Sequence, residues 1–265
     1  MIVRTADRTW CGSVADLRAT GVSGHQVVDA VRGDDAACRV HCPPPGPLFD
    51  RVGHVHPEMG LRVRPALAVA ARTRGLTPPQ ADEIERLRAE HDEIDVAERV
   101  PQHATPPEED PAALEERVAE LRGQISALRA HDIDASDERA ALREAAARLS
   151  EAQTTRLAAA QTRQATREQR DRRQRRLRLD DRIANRERDA RSWLVERVRE
   201  PYERAVFALD PSADPFDCDP TTAALAILRV GTQRAPVVLA TERFPTPAAA
   251  AAWVEGPVVA CGPDV

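Results

Sequence analysis

Between residues 158 and 176 the chain has no leucine, isoleucine, valine, methionine or aromatic residue. The stretch lies inside a longer region, residues 137–200, that reads as continuous helix. No apolar seam can hold a helix that is polar all round. It needs i,i+4 pairs or a charged partner, or it does not hold at all.

The surrounding sequence says how such a helix is presented. Residues 79–200 read as helix except at 101–111 and 131–136. Leu114, Val118, Leu121, Ile125 and Leu128 follow each other at intervals of 4, 3, 4 and 3, the a/d spacing of a coiled coil sustained for about two heptads. Residues 131–136 break that pattern and predict a turn. Ser136 suits an N-cap, with Asp137 and Glu138 at the positive end of the returning helix. That helix, of 64 residues, would be about 95 Å long.

The flanking segments are mixed. Strand-like runs at 2–5 and 38–42 surround a helix at 23–31, whose apolar residues are Val27, Val28 and Val31 and whose cap is Ser23. Prolines 43, 44, 45 and 47 make a loop. A helix at 64–74 is stopped by Gly75. After Pro201, the steps from Asp210, Asp214 and Asp219 into proline disfavour helix. Two strands, 223–230 and 236–241, are then expected to form a hairpin through 231–235. Thr246 and Pro247 start a short helix ending near Trp253, and 257–261 reads as a last strand. Each flank is marginal as a domain by itself. The predicted fold is therefore α+β: a small split head, built from residues 1–78 and a β-rich 201–265, with 79–200 inserted as a long antiparallel helical hairpin (coiled coil). Trp193, Leu194 and Val198 should anchor the long helix in that head.

Charge is sorted along the hairpin. A turn near residue 133 or 134 sets residue i opposite roughly residue 267 − i. Residues 82–98, with eight acids and two arginines, then face the region around 170–185, while 163–182 carries nine arginines and four acids. On one reading the arginines are neutralised by this acidic arm. On another, Arg163, Arg167, Arg170, Arg173 and Arg176 form an interaction surface for an acidic protein or for nucleic acid, since guanidinium pairs bidentately with phosphate and releases counterions. The lack of interleaved aromatics argues against a single-strand stacking platform. High salt would weaken all of these pairings.

All 38 basic residues are arginine, and the net charge is −5. Without lysine, a P-loop, a kinase phosphate lysine and Schiff-base chemistry are excluded. There is no G-x-S-x-G or H-E-x-x-H motif. His41 and Cys42, with Cys38, His54 and His56, are the one cluster of soft and imidazole ligands. Their spacing matches no standard zinc site, so Cys38, Cys42, His54 and His56 are weak metal candidates beside the plainer reading of buried cysteines and loop histidines. Asp210, Asp214, Asp217 and Asp219 lack the glycine of a calcium loop. No catalytic residue and no cofactor are expected, and the chain is read as no enzyme. Cys11, Cys38, Cys42, Cys218 and Cys261 form an odd set that fits reduced thiols. Residues 1–8 lack the apolar core of a leader, and no long apolar run occurs, so a cytoplasmic protein without membrane contact is expected.

Residues 40–79, reading VHCPPPGPLFDRVGHVHPEMGLRVRPALAVAARTRGLTPP, followed by a charged coil and a short tail, resemble an uncharacterised family of haloarchaeal proteins. The resemblance implies a cytoplasmic archaeal setting in a salt-loving cell and no particular chemistry. The lysine-free, arginine- and alanine-rich composition points the same way, with an actinobacterium second. A sequence pI near 5.9 is high for a salt-adapted proteome, and the arginine-rich helix accounts for it. The expected function is a scaffold or interaction protein working through the charged hairpin on a protein partner, with a homodimer as one arrangement. The alternative is a nucleic-acid-binding accessory protein using the arginine face.

Overall fold

The computed structural model describes residues 1–34, 37–94 and 110–262. In chain order the elements are β1 (Ile2–Arg4), β2 (Thr9–Cys11), β3 (Val14–Asp16), α1 (Gly24–Arg32), β4 (Arg39–His41), α2 (Phe49–Val52), β5 (His54–Val55), α3 (Val63–Thr73), α4 (Ala81–Asp92), α5 (Pro111–Ala130), α6 (Ser136–Leu209), α7 (Pro220–Val230), β6 (Val237–Leu239), α8 (Pro247–Val254) and β7 (Val258–Ala260). They divide into two compact units: Met1–Glu85 with Ala184–Val265, and Arg86–Ile183.

The first unit mixes helix and strand around two small sheets. One is antiparallel, ordered β2-β1-β4. The other is parallel, ordered β3-β7-β6-β5, so the two strands from the C-terminal end of the chain lie side by side in its centre, between two from the N-terminal end. Side chains on a strand point alternately to its two faces. Val237, Leu239 and Val258 accordingly join a core with α3, α7 and the end of α6, while Val238 and Val259 join α1 and the antiparallel sheet. Leu194 and Val198 of α6 are buried in the first core, and Trp193 packs partly buried against it.

The structure corrects four expectations for the C-terminal segment. Residues 223–230 are helix, not strand, and 231–235 is no hairpin turn. Asp219 and Pro220 explain why: the Asp219 carboxylate accepts from the Thr222 amide at 3.0 Å and the proline occupies the first turn, so the Asp-Pro step starts a helix rather than preventing one. Nearly every residue of α7 is buried, so no 3.6-residue pattern shows in the sequence. The segment after Pro201 is consequently not β-rich, holding α7, α8 and two three-residue strands. Nor does Pro201 end the long helix; α6 runs through it to Leu209. An interior proline costs roughly 3 kcal/mol, but Tyr202 and Val206 beyond it are fully buried, and their burial is worth a comparable amount.

In the second unit Asp110 caps α5 through the Ala112 amide at 3.1 Å. Val118 and Leu121 of α5 pack with Ala145 of α6, flanked by Ala141, Leu142 and Leu149. Gln153 donates to Glu115 at 3.1 Å. The chain leaves α5 through Asp132, at φ 62°, with the Ile133 amide bonded back to the Leu128 carbonyl. Ser136 is the first residue of α6 rather than its cap, and its hydroxyl donates to Asp134. Beyond Ala159 the next buried residue of α6 is Leu179. The expected break at 101–111 lies outside the described residues up to 109, as do Asp95 and Glu98 of the acidic arm. Among the described residues no helix is long and apolar enough to cross a membrane.

Candidate functional site

Two places concentrate chemistry-bearing side chains. The first is a histidine cluster in the first unit. A capping box holds the start of α1: Ser23 accepts from the Gln26 amide at 3.3 Å, and Gln26 accepts from the Ser23 amide at 3.0 Å. This places His25 in the first turn. Strand β5 runs parallel to β6 in the register His54 to Val238, Val55 to Leu239. His54 and His56 are two residues apart and share a side of the chain, whereas Val55 between them enters the core with α3 and α7. The ring centroids of His54 and His56 lie 4.6 Å apart, and those of His25 are 4.8 and 6.0 Å from them.

Beside the cluster, a pocket of about 230 Å³ is lined by Arg32, Asp50, His54, His56 and Glu58, with Phe49 on its wall. Arg32 pairs with Asp50 at 3.2 Å and lies over Phe49. Among the described residues no three His, Cys, Asp or Glu side chains are arranged to hold a metal ion, and Cys38, Cys42, His54 and His56 form no such group. Cys38 is buried with Val3 and Val27, and Cys42 packs at the margin of that core. Burial pushes both thiols up, which disfavours the thiolate that would bind metal or attack an electrophile. His25, which joins His54 and His56, carried no signal in the sequence, because only the packing of α1 on the sheet brings it there.

The second place is the middle of α6. Between residues 163 and 178 eight arginines stand against two acids. All the expected interaction residues, Arg163, Arg167, Arg170, Arg173 and Arg176, are exposed. Among the described residues the acidic arm reaches only part of this surface. Arg175 pairs with Glu90 at 2.6 Å. His91 sits between Arg176 and Asp180, with its Nε2 at 3.0 and 3.1 Å from them, so it accepts from the arginine or donates to the aspartate, one at a time. Further along, Arg186 pairs with Glu83 at 2.9 Å. Arg163 donates to the carbonyl of Ala159 in its own helix. Arg167, Arg170, Arg172, Arg173 and Arg178 make no ion pair or hydrogen bond among the described residues. Neutralisation by the acidic arm is therefore confined, among the described residues, to the C-terminal side of the arginine run, because α4 ends at Asp92.

No curated protein and no solved structure matches this chain. A family model does, over residues 12–258, nearly the whole length and both places just described. The chain belongs to that family, the family of unknown function DUF7856.

Proposed function

We propose that this protein is a non-enzymatic, cytoplasmic interaction protein that docks another macromolecule through the arginine-rich middle of α6, carried on an antiparallel coiled-coil hairpin. The observation that carries this reading is the row of exposed arginines, Arg167, Arg170, Arg172, Arg173 and Arg178, without partners among the described residues, on a helical stretch with no buried residue between Ala159 and Leu179. Thr162, Ala165, Thr166 and Gln169 are half-buried along one side of this stretch, while the arginines stand exposed, a charged surface for a second molecule.

Support for the hairpin comes from side-chain pairs that step in opposite directions along the chain, Glu90 with Arg175 and Glu115 with Gln153. Support for a non-catalytic role comes from the thiols of Cys38, Cys42 and Cys218, all pushed up by burial. The test is native purification of the full chain beside a variant with Arg167, Arg170, Arg172 and Arg173 changed to glutamine. The parent should carry a macromolecular partner that the variant, equally helical by circular dichroism, has lost. A parent that purifies bare, or a variant that keeps the partner, contradicts the reading.

A further inference from the structure

Resting on that docking surface, we propose that its partner is the phosphate backbone of a double-stranded nucleic acid, bound without regard to sequence. Three features of the surface select this partner. The first is the absence of an apolar anchor. Protein interfaces are built around a desolvated centre rich in aromatic and aliphatic side chains and depleted in charge; residues 158–176 contain nothing apolar larger than alanine, and the exposed Leu157 and Leu177 flank that stretch singly, about 30 Å apart along the helix. A polyanion needs no such centre, because its binding is driven by counterion release.

The second feature is the absence of aromatics. No Phe, Tyr, Trp or His occurs in α6 before Trp193. Single-strand binding relies on bases stacked on such rings, so the surface suits a partner whose bases are already stacked on one another.

The third is the placing of the arginines. At about 100° per residue, Arg167, Arg170, Arg172, Arg173 and Arg178 point to several sides of the helix rather than along one stripe. From Arg167 to Arg178 they span roughly 16 Å, a length over which a duplex presents on the order of ten phosphates. A helix charged on several sides can meet both strands bordering a groove, and guanidinium pairs bidentately with phosphate oxygens. Phosphate contacts of this kind position a protein without reading sequence.

The full chain is titrated by fluorescence anisotropy against a labelled mixed-sequence DNA duplex of about 30 bp, and separately against one of its strands, at salt from about 50 to 400 mM. The parent should bind the duplex more tightly than the strand, with log K falling linearly in log salt. Changing Arg167, Arg170 and Arg173 to glutamine should flatten that slope by about three, at close to 0.9 per phosphate contact, and leave the melting temperature unchanged. No duplex binding at the lowest salt, an unchanged slope in the variant, or tighter binding of the strand overturns the proposal. If duplex binding is absent while the variant still loses a co-purifying acidic protein, the partner is a protein and the docking surface stands. If neither partner responds to the variant, the docking surface falls with it.

Discussion

Tyr202 is the chain's one tyrosine. It is fully buried, donates from its hydroxyl to the Pro215 carbonyl at 2.5 Å and packs at 5.5 Å from the Phe216 ring. Burial pushes its phenol well above the ordinary value of 10.0. A group whose folded pKa is raised keeps its proton longer in the folded state. Its contribution is therefore fully present below pH 10 or so and is lost as pH climbs above it. With a single tyrosine, absorbance of tyrosinate near 295 nm reports on this site alone. It should stay absent above the ordinary pKa until the protein unfolds, and then appear together with the loss of helical circular dichroism. Tyrosinate forming near pH 10 while the fold persists would mean the hydroxyl is open to water. At this scale the sequence was partly legible: Leu194 and Val198 enter the core because their helical spacing says so, whereas the meeting of His25 with His54 and His56 depends on α1 packing across the sheet and leaves no local trace.

Elements were legible where their ends carry unambiguous chemistry. Ser23, and Thr246 with Pro247, mark α1 and α8, and both caps form. Asp219 with Pro220 is the same grammar read wrongly, because an Asp-Pro step both breaks a preceding helix and begins a following one. The buried run after it, with alanine and leucine on every face, has no period to arbitrate. If Asp219 is the cap that starts α7, Asp219→Ala should destabilise the first unit by about 1 kcal/mol, measured as a lower urea midpoint with an unchanged slope. Asp219→Ser should recover most of it. A neutral Asp219→Ala would show that burial alone sets the start of α7. The parallel sheet was the hardest element to foresee. Its strands are two or three residues long, and β3 and β5 pair with strands more than 180 residues away in sequence.

On the scale of the whole molecule, the mixture of helix and strand and the very long helix were legible from composition shifts, and the pairing of α4 acids with α6 arginines was legible in outline. The extent of neutralisation was not. It depends on where α4 stops, and Asp92, its last residue, leaves Arg167, Arg170, Arg172 and Arg173 without acidic partners among the described residues. The proposed docking surface requires these arginines to face another molecule rather than to brace the chain. Hydrogen exchange on the full chain, with and without glutamine at these four positions, tests that most directly. Protection of residues 160–178 and the melting temperature should both be unchanged by the four substitutions, since no ion pair or hydrogen bond among the described residues is removed. Faster exchange there, or a lower melting temperature, would contradict the account by showing that the arginines hold the protein's own hairpin together.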